Sequence, residues 1–180
     1  MQFRYFLDAL YNFNPTPLAM PGVRPYLYPM ITLCRTDSSN PDYRALIVDL
    51  DKDLAIRDGE VYHEFYAQYN KSDDIKHVVV AYEDDVPVGC GAIKHYEGDV
   101  VEVKRMYTLP TQRGKGIAAQ VLKELEQWAL ELNYTKAIME TGIKMPEAIA
   151  LYGKNNYSII SNYGQYAGMP DSVCFEKILI

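Results

Sequence analysis

Residues 77–109, HVVVAYEDDVPVGCGAIKHYEGDVVEVKRMYTL, constrain the fold more than any other stretch. Three runs, His77–Tyr82, Val86–Lys94 and Val100–Leu109, read as strands, the first and last rich in β-branched and aromatic residues. Such residues favour a pleated backbone. The turns between the runs, EDD and EGD, are short enough for antiparallel hairpins. A chain with this centre builds a three-strand meander, and its flanks must cover that sheet.

The flanks supply the cover. ITLCR, from Ile31, reads as a strand. NPDYRALIVDLDKDL follows, with Pro41 at a first helical position and Leu46, Ile47, Leu50 and Leu54 on one face. A weaker helical pattern covers Glu60–Tyr69. After the meander, Gly114–Leu132 is amphipathic, with Ile117, Val121, Leu125, Trp128 and Leu132 three or four residues apart. KAIMET reads as a strand buried on both faces. MPEAIALYGKNN is a short helix with Pro146 near its start. YSII and SVCFEKILI close the chain as strands. The pattern predicts an α/β (α+β) fold, a mixed sheet with helices on both faces.

The 180 residues, 48% of them hydrophobic, suit one domain with a proper core. Residues 1–29 differ from the rest, with five prolines and seven aromatics. Prolines this dense forbid a long helix or a central strand. The segment reads as an apolar arm that packs on the domain or on a neighbour, which makes a homodimer compatible with the sequence. The working domain is then residues 30–180.

Charge and cysteines narrow the function. The net charge of −6 argues against a dedicated nucleic-acid binder. No run of about 18 apolar residues predicts a membrane span, so no membrane association is expected. The N-terminus lacks a basic region followed by an apolar one, so no signal peptide is expected. Cys34, Cys90 and Cys174 are far apart and show no metal-binding spacing, so no metal is expected. A sparse, odd count fits the reducing cytoplasm. His63, His77 and His95 are scattered, and the last two flank hairpin strands.

The chemistry concentrates in RMYTLPTQRGKGIAAQ. A helix start presents unpaired N–H donors and partial positive charge, which suit an anion. Gly114 and Gly116 let backbone approach a ligand, and Arg113 and Lys115 add two cations. Together these donors suit a diphosphate. A P-loop requires a Gly-Lys-Ser/Thr run, which is missing. Gly114, Gly116 and Ala119 fit a dinucleotide-binding pattern, but Pro110–Arg113 separate strand from turn and hairpins precede it, against that reading.

A third pattern fits. Arg113-x-x-Gly116-x-Ala118, set between a long strand and an amphipathic helix, resembles the signature of the GNAT superfamily of acetyl-CoA-dependent N-acetyltransferases. The resemblance runs from about Ile31 to Ile180 and includes AIALYGKNNY, similar to the family's A-x-x-x-Y-x-k-x-G-F/Y element. Two positions depart from it. Asn156 stands where many relatives have glycine, and Met145 where many have an asparagine that touches the pantetheine arm.

The resemblance implies a mostly antiparallel sheet whose central strands splay apart. It implies acetyl-CoA as co-substrate, held by Met106, Tyr107 and Thr108 along the pantetheine and by Arg113, Gly114, Lys115, Gly116, Ile117 and Ala118 at the diphosphate. It implies Glu102 as the base, with Glu140 as second choice, and Tyr152 as proton donor to the leaving thiolate. A backbone N–H near Met106 would polarise the thioester carbonyl. The expected acceptor is a small primary amine, with Lys104 and Arg105 as candidates for an acceptor carboxylate and Asn162–Ser172 as a wall of its site. The alternatives are a non-catalytic acyl-CoA-binding module and a protein or peptide N-acetyltransferase.

Overall fold

The computed structural model describes residues 30–58 and 74–180. The arm at 1–29, the helix expected over Glu60–Tyr69 and His63 lie outside the described residues. Among the described residues, seven strands form one sheet in the order β1-β2-β3-β4-β5-β7-β6. They are β1 (Ile31–Thr36), β2 (His77–Glu83), β3 (Val86–Glu97), β4 (Val100–Thr108), β5 (Lys136–Gly142), β6 (Ser158–Ile160) and β7 (Ser172–Ile178). Every pairing is antiparallel except β4 with β5.

Local chemistry sets the element ends. The two-residue turn between β2 and β3 needs positive φ twice, and Asp84 (49°) and Asp85 (66°) supply it. Helix α1 (Pro41–Asp58) starts under Asn40, whose Oδ1 accepts the N–H groups of Asp42 and Tyr43 at 2.9 and 3.0 Å. Helix α2 (Ile117–Glu131) is followed at Asn133, and α3 (Pro146–Lys154) at Asn156, by a residue at φ 66°. Asparagine tolerates that conformation, so Asn156 replaces the family glycine without losing the helix stop.

The helices cover both faces. Helix α1 packs on one face, where Tyr43, Leu46, Ile47 and Leu50 meet Val78, Val80, Cys90 and Tyr107. Helices α2 and α3 share the other, where Ile117, Val121, Leu122 and Leu125 pack on Val79, Ile93, Val101 and Val103. Helix α2 begins at Ile117, later than the glycines suggest, because Gly114 and Gly116 adopt positive φ and form the turn itself. The predicted stripe also shifts at its end. Leu132 is 37% exposed, while Leu122 and Ala129 are buried.

Two features of β4 shape the site. It pairs with β5 only over Val100, Val101 and Glu102, so the strands part for the rest of its length. It also carries a bulge against β3, where the register shifts between Ala92↔Lys104 and Cys90↔Tyr107. Arg105 sits in that bulge at φ 57°, rare for a non-glycine residue. Opposite lies Gly91, where a Cβ would stand 2.4 Å from Met106 Sδ and 2.9 Å from Leu125. Gly91→Ala therefore overpacks the bulge. We expect a loss of about 1–3 kcal/mol in urea unfolding.

Candidate active site

Residues 113–118 form a glycine turn that opens α2. Gly114 and Gly116 have φ of 82° and 79°, and a Cβ at either would meet nothing within 4 Å. Gly116 is the N-cap and no side chain caps the helix. The turn borders a cavity of about 670 Å³. Met106, Tyr107, Thr108, Arg113, Gly114, Gly116, Ile117 and Ala118 all line it, so the structure gathers most of the anticipated cofactor residues on one wall.

Lys115 does not line this cavity. Its ammonium turns to Glu83, with Nζ 3.1 Å from Oε1. Arg113 is held twice, donating from Nε to the Thr108 carbonyl at 3.1 Å and from Nη2 to Asp53 at 2.8 Å. A second guanidinium, absent from the sequence reading, comes from the last turn of α1. Arg57 lines the cavity, bonds Asp53 from Nε at 3.1 Å and also pairs with Glu147. The four-residue spacing of Asp53 and Arg57 signals a helical pair. Only the packing of α1 on the sheet brings that pair to the glycine turn.

A second cavity of about 130 Å³ adjoins the first where β4 and β5 part. Lys104, Arg105, Glu140 and Thr141 belong to its wall alone. Both cavities share Leu50, Leu54, Met106, Met145, Ala148 and Tyr152. Tyr152 is buried and edge-on to Phe175 at 5.6 Å between ring centres. No described residue hydrogen-bonds its hydroxyl. Burial, and secondly the charge of Glu140, push its phenol above the usual tyrosine range. Met145, at the family's asparagine position, presents an apolar side chain to both spaces.

The two carboxylate candidates are placed differently. Glu102 is 7% exposed, accepts from Lys104 Nζ at 3.0 Å and Tyr163 Oη at 3.1 Å, and lines neither cavity. Glu140 lines the smaller cavity and accepts from Ser172 Oγ at 2.6 Å. Tyr163 and Tyr166 reach this region from the expected loop. Asn162 ties that loop together, donating to the carbonyls of Met169 and Ser172 at 2.8 and 3.0 Å. Burial first, and then Glu102, raise the Tyr163 phenol above its usual range.

Arg105 is anchored away from solvent. Its side chain is 2% exposed and its guanidinium pairs with Asp51 of α1 at 2.5 Å. It fastens α1 to the bulge, and Lys104 is held by Glu102. Cys90 and Cys174 are buried free thiols, pushed up by that burial to about 12 and about 11. Neither is a ready nucleophile at neutral pH. His77 lies edge-on to Trp128, and His95 is exposed beside Tyr134.

Residues 40–157 match the family model for acetyltransferases of the GNAT type. The chain belongs to the GNAT family of acetyltransferases. It is an acyltransferase by that membership. It is similar to IAA acetyltransferase of Azospirillum brasilense, at 33% identity over 84% of this chain and 99% of the relative. A solved Klebsiella pneumoniae protein, named for acyl-CoA N-acyltransfer, superposes with a TM-score of 0.69 at 29% identity, over 84% of this chain and 99% of that one. PaiA N-acetyltransferase of Thermoplasma acidophilum, solved with coenzyme A, shares the fold at a TM-score of 0.63 and 18% identity, covering 83% and 99%.

Among the described residues, no helix is long and apolar enough to cross a membrane. Gly116→Ala isolates the backbone term at the turn, because no neighbour meets the added methyl. We expect a loss of about 1–2 kcal/mol in urea unfolding, from left-handed strain alone.

Proposed function

We propose that this acyltransferase moves the acetyl group of acetyl-CoA to a primary amine of a small molecule, by direct attack of the amine on the thioester. One observation carries the reading. A large cavity bordered by an anion-seeking turn meets a small cavity walled by titratable side chains, and the two join at Tyr152 and Met106. The volume of the larger suits a cofactor-sized ligand. Beyond Glu102, the edge of β4 facing β5 has no strand partner among the described residues, so Met106, Tyr107 and Thr108 can hydrogen-bond the pantetheine amides as an added strand. The uncapped start of α2 and Arg113 suit the diphosphate. A solved relative of the same fold carries coenzyme A.

The chain's own groups then divide the work. A free alkylamine has a pKa of about 10.4 and must lose a proton before it attacks. Glu140 stands in the wall of the small cavity, so we assign it that proton. Glu102, held by Lys104 and Tyr163, acts one step away by fixing Lys104 in the same wall. A backbone N–H near Met106 steadies the charge on the thioester oxygen as nitrogen bonds to carbon and the carbon–sulfur bond breaks. Tyr152 faces the departing sulfur. A thiol ionises at about 8.5, well below this buried phenol, so full proton transfer from Tyr152 is uphill. Its hydroxyl serves first as a hydrogen-bond donor to the developing thiolate. The buried thiols of Cys90 and Cys174 have no part, because direct attack needs no enzyme nucleophile.

Calorimetry with acetyl-CoA tests the first half. We expect micromolar binding by the wild type, and a roughly tenfold or greater loss in Arg113→Ala. Lys115→Ala, whose ammonium faces Glu83, should lose less. Absence of wild-type binding would refute the reading. Release of free thiol with a panel of small amines, and with IAA, tests the second half. There Glu140→Gln should lower kcat about a hundredfold or more. Glu102→Gln should lower it less; the reverse order would make Glu102 the base. Tyr152→Phe should lower kcat about tenfold with little change in KM, as a lost hydrogen bond to the transition state.

A further inference from the structure

The larger cavity holds an arrangement that the glycine turn does not account for. Two guanidiniums from different elements converge on one carboxylate. Arg113, beside the turn, reaches Asp53 Oδ2 at 2.8 Å. Arg57, one helical turn beyond Asp53 on α1, reaches Oδ1 at 3.1 Å and Oδ2 at 3.4 Å. All three residues line the cavity. Both arginines hold Asp53 ionised, against the opposing effect of its partial burial.

A carboxylate between two guanidiniums offers them the contacts that a phosphate oxygen pair would offer. It is also a fixed negative charge beside the turn that suits an anion. A bound diphosphate and the Asp53 carboxylate therefore compete for the same donors and repel one another.

The other contacts of the arginines decide which effect dominates. Arg113 also donates from Nε to the Thr108 carbonyl at 3.1 Å, so it stays beside the turn without Asp53. Arg57 also pairs with Glu147, at the start of α3. Neither guanidinium depends on Asp53 alone for its position. Removing the carboxylate therefore frees donors without releasing the side chains that carry them.

We propose that the last turn of α1 belongs to the diphosphate seat, with Arg57 as a second cation beside Arg113 and Asp53 as the internal carboxylate that the diphosphate displaces. The inference rests on the acetyl-CoA reading given above. In it Asp53 sets the affinity of the site downward, and Arg57 sets it upward. Both act on the anionic half of the ligand and leave the pantetheine half untouched.

The test is calorimetry of the full chain and of its Asp53→Asn, Asp53→Ala and Arg57→Ala variants. The probes are coenzyme A and pantetheine, the latter lacking diphosphate and nucleotide. Asp53→Asn should tighten coenzyme A by about two- to fivefold, the range of one partly exposed ion pair. Arg57→Ala should weaken it by a similar factor. Pantetheine affinity should be the same in all four proteins. Circular dichroism melts identify any variant that loses its fold, and the two Asp53 substitutions guard against one failing for that reason.

Weaker coenzyme A binding by both folded Asp53 variants would show that Asp53 orients the arginines, and would overturn the proposal. So would unchanged binding by Arg57→Ala, or equal shifts with pantetheine. If the wild type binds no coenzyme A, the functional reading itself fails. That outcome is distinct from a wild type that binds and variants that do not differ from it.

Discussion

The parting of β4 from β5 is the constraint on which the rest of the structure depends. Parallel strands normally share a ladder along their length, and backbone groups left unpaired are costly when buried. Here the ladder stops after Glu102. The fold sustains the opening because each strand keeps its outer partner, β3 for β4 and β7 for β5. The two cavities meet in the gap. A ligand with its own amides could complete such an open edge.

The bulge at Arg105 complements this opening. It changes the alternation of β4, so the consecutive residues Lys104, Arg105 and Met106 all line the smaller cavity. A non-glycine residue at φ 57° is strained, and such strain persists when surroundings fix it. Its side chain pairs with Asp51 of α1. It ties α1 to the sheet close to the gap. The placement of α1 carries Asp53 and Arg57 to the glycine turn. Helix α1 thus touches both the bulge and the glycine turn.

The electrostatics of the site follow from pairing rather than from net charge. Lys104 with Glu102, Arg105 with Asp51, Arg113 and Arg57 with Asp53, and Lys115 with Glu83 are each matched. Buried or half-buried charges persist only with such partners. A chain of net charge −6 can therefore seat a strongly anionic ligand, because local donors decide the field at short range.

Much of this was legible in the residues. Hairpin turns, the α2 stripe, the double-sided burial of KAIMET and the prolines opening α1 and α3 are local patterns, each within one element. The turn Arg113–Ala118 was legible for the same reason, since its glycines, cations and helix start are adjacent in sequence. The partners of single charged residues were not. Lys115 matches the pattern yet turns to Glu83. Glu102 alternates onto the expected face yet is held by Lys104 and Tyr163. Arg57 carries no local mark beyond a helical pair. Sequence by itself determined the elements and the glycine turn, because backbone geometry and periodicity are short-range properties. Tertiary structure alone decided where β4 leaves β5, which carboxylate stands in the cavity wall and which arginines converge. Those outcomes depend on contacts between residues far apart in the chain, 60 positions for Arg113 and Asp53 and 90 for Arg57 and Glu147.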